Sequence, residues 1–127
     1  MKATLIRSED APRFEVHGAR VTAYASPSRG SPGLCAWRVE LSPGVDSPLH
    51  SLETDEVFIA LRGRATFELG GEGVTVRAGD ALTVPQGTRF RIRCPAGAEP
   101  FEAVACVRAG AKAQVEEGEP FLPAWAV

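Results

Sequence analysis

Glycine and proline interrupt this chain at short intervals along almost its whole length. The chain contains 13 glycines and 10 prolines among 127 residues, a larger share than the roughly 12% of an average protein. Between them lie short runs in which apolar and polar side chains alternate, as in residues 34–42, 64–69 and 89–94. Alternation with a period of two is typical of a half-buried strand, and frequent turn residues break up helices. The pattern predicts about seven or eight short strands, the organisation of an all-β sandwich or barrel.

The length of the chain suits one domain with a hydrophobic core and is too short for two. We therefore expect residues 1–127 to form a single domain whose barrel core covers about residues 34–108. Residues 1–33 are expected to add N-terminal strands. The tail, residues 109–127, includes a predicted helical turn at 111–117 and ends in an apolar stretch. Both flanking segments are expected to pack on the barrel or on a partner subunit.

Composition and charge exclude several functional classes. A hydrophobic content of 44% and a charged content of 24% are ordinary for a globular domain. The net charge of −2 argues against nucleic acid as a partner. The first ten residues carry several charges unlike a signal peptide, and no apolar run approaches the ~20 residues of a membrane helix. Three cysteines without a C-x-x-C pair favour a reduced, cytoplasmic compartment.

Two stretches place particular residues at fixed spacings. The first contains Gly44, His50, Leu52, Glu56 and Gly63, and the second contains Gly79, Pro85, Gly87, Phe90 and Cys94. These spacings closely resemble the two conserved motifs of the cupin superfamily, G-x5-H-x-H-x3-E-x6-G and G-x5-P-x-G-x2-H-x3-N. The resemblance covers residues 44–94 and extends with the flanking strands to roughly 34–107. It implies a small single-domain cupin with a double-stranded β-helix, that is, an RmlC-like jelly-roll barrel.

The resemblance also implies a metal site, but this chain departs from it. In metal-binding cupins the four motif positions supply three imidazoles and one carboxylate, which suit divalent Fe, Mn, Ni or Zn. Here His50 and Glu56 match, whereas Leu52 and Phe90 replace two histidines. Cys94 replaces the final Asn and lies about 13 Å from Phe90 at strand rise, too far to reach the same ion easily. We therefore expect no usual catalytic metal, with a divalent transition metal on the residual ligands His50 and Glu56 as the alternative.

The same positions predict the lining of the barrel interior. Residues two apart in a strand point to the same side, so the motif residues and their neighbours at this spacing are expected to face the barrel interior. The predicted pocket-lining residues are His50, Leu52, Glu56, Phe58, Ala60 and Phe90. Such a pocket is apolar and would suit a small apolar or aromatic ligand, unless side chains fill it completely as in many small barrels.

His50 and Glu56 are the candidate catalytic residues, and three interpretations of His50 stay open. In the first, His50 acts in the pocket as an acid or base or forms a hydrogen bond with a bound molecule. In the second, its side chain only forms a hydrogen bond with Glu56, and in the third it is a metal ligand. His17 has no spacing relation to His50 and is placed in a loop. On the other face of the strand that begins at Glu56, residues 57–61 include side chains too apolar for water, which predicts a homodimer.

Three functions remain compatible with these residues. The first is a small-molecule-binding or regulatory single-domain cupin without the usual metal. The second is an enzyme, either a metal-independent isomerase or lyase that uses His50 and Glu56, or a metalloenzyme with a reduced ligand set. The third is a structural dimeric barrel with a filled core. Fold alone does not choose among them, because this fold carries many unrelated activities.

Overall fold

The computed structural model describes residues 2–127, which form eleven β-strands and three short 3₁₀ turns. The strands in chain order are β1 (Arg13–Val16), β2 (Ala19–Ala25), β3 (Leu34–Leu41), β4 (His50–Leu52), β5 (Glu56–Arg62), β6 (Arg64–Leu69), β7 (Glu72–Arg77), β8 (Ala81–Val84), β9 (Phe90–Arg93), β10 (Phe101–Arg108) and β11 (Ala113–Val115). The 3₁₀ turns are Ser8–Asp10, Pro27–Arg29 and Ala124–Ala126. The predicted all-β class is confirmed. None of the helical segments in residues 2–127 has the length and apolarity needed to cross a membrane.

The strands form two antiparallel sheets that share one hydrophobic core. The six-stranded sheet has the order β1-β2-β3-β10-β5-β8, and the five-stranded sheet has the order β11-β4-β9-β6-β7. Strands distant in sequence lie side by side, since β10 pairs with both β3 and β5. This arrangement is the jelly-roll barrel that the motif spacings predict.

Gly63 shows why the motif glycines matter for this topology. It joins β5 of one sheet to β6 of the other, so the chain must turn sharply there. Its φ is +71°, and a Cβ at this position would lie 2.4 Å from the carbonyl oxygen of Pro100. A side chain is therefore excluded by both backbone conformation and contact. The glycine spacing of the first motif thus has a direct steric cause.

The two ends of the chain extend the sheets. β1 and β2 continue the six-stranded sheet beyond β3, so residues 13–25 belong to the barrel wall. The helical turn predicted at residues 111–117 is wrong, because residues 113–115 form β11 and pair with β4. Pairing satisfies the backbone groups at the edge of the short strand β4, which a helical turn would leave unpaired.

Four phenylalanines fill one part of the barrel interior. Phe58, Phe67, Phe90 and Phe101 are all buried. The ring of Phe67 lies 5.0 Å from that of Phe58 and stacks on Phe90 at 6.2 Å, as measured between ring centroids. Phe101 meets Phe67 edge-on at 6.1 Å. Offset and edge-to-face pairs of this kind add to the stabilisation by burial, so this phenylalanine cluster forms a firm packed core.

The outward-facing side of β5 remains open to solvent in the single chain. Ile59 is 43% exposed and Leu61 is 52% exposed. The homodimer expected from these side chains stays a prediction, which light scattering at micromolar concentration checks.

Candidate functional site

An open cavity of about 570 Å³ lies inside the barrel, next to the phenylalanine cluster. Its wall comes from both sheets, the turn after β1 and the C-terminal residues 121–125. Most of the lining is apolar, including Val21, Trp37, Val39, Leu41 and Ile92. Among the described residues that line it there is no lysine or arginine. The interior is thus divided into a filled part and an apolar cavity large enough for a small organic molecule.

The predicted pocket residues divide between these two parts. His50, Leu52, Glu56 and Phe58 line the cavity. Phe90 and Ala60 are almost completely buried and lie outside the cavity lining. Phe90 is the direct cross-strand partner of His50, and the centroids of their two rings are 4.2 Å apart. Phe90 therefore packs against the ring of His50 and does not face the cavity.

His50 uses one ring nitrogen, Nδ1, in a hydrogen bond, and its other ring nitrogen has no partner in the part of the chain that the structure describes. Its Nδ1 lies 2.9 Å from the carbonyl oxygen of Pro48. A carbonyl only accepts hydrogen bonds, so Nδ1 carries the proton and Nε2 carries the lone pair. Burial lowers the pKa of His50, and the nearby His17 lowers it further, while the bond to Pro48 acts in the opposite direction. His50 is consequently a neutral imidazole with a hydrogen-bond acceptor and base at Nε2.

Glu56 is a buried carboxyl group, and one of its two oxygens has no hydrogen-bond partner among residues 2–127. The residue is 3% exposed, and its Oε1 bonds to no atom of residues 2–127. Burial raises the pKa of Glu56 to about 8, so the group is mainly a neutral acid at pH 7. The hydrogen bond between His50 and Glu56, one of the alternatives considered above, is not formed in the described residues. Both residues line the cavity.

His17 is a cavity residue that the motif spacings did not reveal. It occupies the two-residue turn between β1 and β2 with a φ of +49°, followed by Gly18 with a φ of +79°. Positive φ at both positions is typical of the tight turns that join antiparallel strands. The turn directs His17 to the cavity wall. The one available signal was the His17-Gly18 pair between two short strands, which marks a turn but not its position relative to His50.

The C-terminal residues form a further wall that was expected only as a packed tail. Backbone bonds in both directions join Phe121 to Ala113, and residues 121–125 then pass along the cavity. Trp125 packs against Trp37 with ring centroids 6.1 Å apart and against Phe14 at the same distance. The two tryptophans of the chain, Trp37 and Trp125, therefore both line the cavity.

Comparison with known proteins adds family information to this geometry. A family model described as "Cupin domain" matches residues 37–107, more than half of the chain. The chain belongs to the cupin family. This confirms the resemblance seen in the two motifs.

Individual proteins that are similar to this cupin have low sequence identity to it. A 71-residue stretch is 30% identical to 1-hydroxy-2-naphthoate 1,2-dioxygenase of Nocardioides sp. (strain KP7), and covers 54% of this chain but only 18% of that enzyme. The polyketide cyclase RemF from Streptomyces resistomycificus superposes with a TM-score of 0.73 at 18% identity, over 87% of this chain and 83% of RemF. An RmlC-like cupin from Shewanella frigidimarina superposes with a TM-score of 0.71 at 15% identity, over 84% of this chain and 91% of that cupin. At these identities the two superpositions establish the fold alone.

The donor set of this cupin does not fit the metal site that the family motifs imply. Leu52 and Phe90 occupy two of the four ligand positions, and Phe90 is packed in the phenylalanine cluster. The thiol of Cys94 is buried and points to the carbonyl oxygen of Glu99, 3.6 Å away. Within residues 2–127 no three histidine, cysteine, aspartate or glutamate side chains converge as a metal site. The chemistry considered below therefore uses the side chains of the cavity itself.

Proposed function

We propose that this cupin binds a small, neutral aromatic molecule carrying a hydroxyl or carbonyl oxygen, without the usual cupin metal. The observation that carries the proposal is the open apolar cavity of about 570 Å³, whose lining includes the side chains of His50 and Glu56. Ligand pockets commonly have volumes of about 300–1,000 Å³, with a few polar groups that orient the ligand in an apolar wall. A barrel with a purely structural role would be expected to fill this space with side chains.

The absence of a lysine or arginine in the described lining favours a neutral ligand. An ionised carboxylate that leaves water for this cavity would lose its hydration without gaining a cationic partner. The neutral carboxyl of Glu56 can donate a hydrogen bond to a ligand oxygen, and Nε2 of His50 can accept one from a hydroxyl. The name of one relative, a hydroxynaphthoate dioxygenase, supports an aromatic ligand.

A matched pair of probes tests this proposal. We expect 1-naphthol to bind with micromolar affinity in calorimetric titration at pH 7, and 1-hydroxy-2-naphthoate, which adds only a carboxylate, to bind at least ~10-fold more weakly. Treatment of the protein with a chelator should leave the affinity for 1-naphthol unchanged. Tighter binding of the carboxylate than of the naphthol would contradict the proposal, as would a strict requirement for a transition metal.

A pair of valine substitutions locates the binding in the cavity. Val39→Phe places a larger side chain in the cavity wall and should abolish binding of 1-naphthol. Val74→Phe makes the same change at a valine that is 39% exposed and outside the cavity lining, and should have no effect. Equal affinities of the two variants would place the ligand elsewhere.

A second candidate function is metal-independent acid–base catalysis, an isomerase or lyase. The specific observation in its favour is that a neutral carboxyl, Glu56, and a free imidazole nitrogen, Nε2 of His50, line the same cavity. With an enolisable aromatic ketone, Nε2 would take a proton from the α-carbon while Glu56 donates its proton to the carbonyl oxygen. The products of this step are the enol, an imidazolium and a carboxylate, and the reverse step returns both protons.

Exchange of hydrogen for deuterium measures this proton transfer directly. We expect the protein to accelerate exchange of the α-hydrogens of 1-tetralone in D₂O, as followed by NMR, and 1-naphthol to suppress it by occupying the cavity. His50→Gln should reduce the acceleration on the order of 100-fold, since positioned acid–base groups contribute about 10²–10⁴-fold. If the α-hydrogens of 1-tetralone exchange at the uncatalysed rate in the presence of the wild-type protein, the catalytic function is contradicted and only the binding function remains.

A further inference from the structure

Two arginines lie directly opposite each other on the outer face of the five-stranded sheet. Arg64 of β6 pairs with Arg77 of β7, and two residues farther along Thr66 pairs with Thr75. Ala65 is buried between Arg64 and Thr66, so these four side chains point away from the core. Residues directly opposite in antiparallel strands have Cβ atoms about 4.5–5.5 Å apart. The register therefore brings two guanidinium groups and two hydroxyl groups together outside the barrel.

These two arginines lack the acidic partners that other arginines nearby have. Arg62 forms an ion pair with a glutamate and Arg93 with an aspartate and a glutamate. Among residues 2–127, no carboxylate forms an ion pair with Arg64 or Arg77. The carboxylate of Asp80 accepts a hydrogen bond of 2.9 Å from the backbone amide of Arg77, not from its guanidinium. Because like charges directly opposite destabilise a strand pair, this pair would be stabilised by an anion from outside the chain.

The same four side chains line an open depression of about 260 Å³. Arg64, Thr75 and Arg77 are exposed and Thr66 is half-buried, so a molecule in solvent can reach all four. Each guanidinium presents a planar fork of N–H donors, and each hydroxyl can donate one hydrogen bond. The described lining of the depression contains no acidic residue. Its charge and its hydrogen-bonding groups therefore both favour an oxyanion.

We propose that the pair Arg64 and Arg77 binds a phosphate group, either free or carried by a small molecule. The site is separate from the apolar cavity, since the two linings share no residue. A phosphate monoester carries a charge of about −1.5 to −2 at pH 7 and has three acceptor oxygens, which match two cations and several donors. Arginine binds phosphate oxygens in a bidentate manner. A carboxylate, with one charge and two oxygens, would satisfy only part of this set.

Titrations with inorganic phosphate and with glycerol 3-phosphate test the proposal, as followed by the NMR shifts of backbone amides at pH 7.5 and constant ionic strength. Exposed charges are screened by water and salt, so we expect a Kd on the order of 1 mM and the largest shifts in β6 and β7. Acetate should bind at least ~5-fold more weakly. Equal affinities for the two phosphates would identify the phosphate group alone as the ligand, and tighter binding of glycerol 3-phosphate would identify a phosphorylated small molecule. Acetate binding as tight as phosphate binding, or the absence of saturable shifts in β6 and β7, would overturn the proposal.

Charge-neutralising variants locate the phosphate at the arginine pair. Arg64→Gln and Arg77→Gln should each weaken the binding of inorganic phosphate at least ~5-fold, and both positions are exposed, so the fold should be retained. Arg108→Gln is the matched control, because Arg108 is also exposed but lies opposite Leu34 in the other sheet. Its affinity for phosphate should equal that of the wild type. Equal losses in all three variants would indicate a general attraction between the protein and anions, and would overturn the proposed site, as would unchanged affinity in Arg64→Gln and Arg77→Gln.

Discussion

Glu56→Gln is expected to remove the loss of folding stability that ionisation of Glu56 causes as the pH rises from 4.5 to about 8. The pKa of Glu56 rises from an ordinary value of 4.5 to about 8 in the folded chain because the group is buried. Across this window the folded chain keeps the proton on Glu56 and the unfolded chain releases it. The contribution of Glu56 to the free energy of unfolding is therefore highest below pH 4.5 and falls as the pH rises, by about 1.4 kcal/mol per unit. The lowered pKa of His50 acts in the opposite direction below the ordinary histidine value of 6.5. The fall ends near pH 8 and amounts to on the order of 5 kcal/mol.

Urea unfolding at several pH values between 4 and 9 measures this effect. Glu56→Gln keeps a neutral side chain of similar shape, so the stability of the wild type relative to this variant should fall as the pH rises across the window. Glu117→Gln is the matched control, because it makes the same substitution at a side chain that is 91% exposed. Parallel profiles for the wild type and Glu56→Gln would mean that another group or a hydrated carboxylate controls the dependence.

Phe90→Ala is expected to lower the free energy of unfolding by about 3–5 kcal/mol, the usual cost of removing a fully buried phenylalanine. Phe90 is 0% exposed and contacts Phe58, Phe67 and the ring of His50, with centroids 5.8, 6.2 and 4.2 Å away. The substitution would leave a void in the phenylalanine cluster and remove the support of the imidazole. The position that carries a metal ligand in other cupins is thus predicted to stabilise the fold here.

Phe121→Ala is the control for this prediction. Phe121 also belongs to the barrel interior, since it lines the cavity, but it is 43% exposed. Its removal should cost about 1 kcal/mol or less, because little apolar area leaves a packed environment. Midpoints of urea unfolding compare the two variants. Similar losses for both would indicate that Phe90 and Phe121 are equally well packed, contrary to the division of the interior described above.

Much of the fold follows from local features of the sequence. The alternation in residues 34–42 predicts β3, and glycine at position 63 is required by its backbone conformation and by the carbonyl of Pro100. Such requirements act over a few residues, so the sequence displays them directly. β11 was mistaken for a helical turn because its three residues are too few for a period to appear. Its conformation depends on pairing with β4, some 60 residues away.

The candidate site was only partly predictable for the same reason. His50, Leu52, Glu56 and Phe58 belong to the motifs, and their place at the cavity follows from strand geometry. His17 and Trp125 reach the same cavity through pairings between distant segments, which no local pattern encodes. The motif spacing also suggested that Phe90 faces a ligand. Its actual burial depends on how completely Phe58, Phe67 and Phe101 fill the space around it.

The phenylalanine cluster separates the residues that keep this barrel folded from those that would contact a ligand. Substitutions in the exposed part of the cavity wall, at Phe121 or Leu122, alter side chains that are 43% and 39% exposed, so their effects on stability should be small and nearly additive with changes inside the cluster. Selection for a new ligand can therefore proceed through many single substitutions without crossing the stability threshold that limits most proteins. The barrel has, in this respect, the properties of an evolvable scaffold.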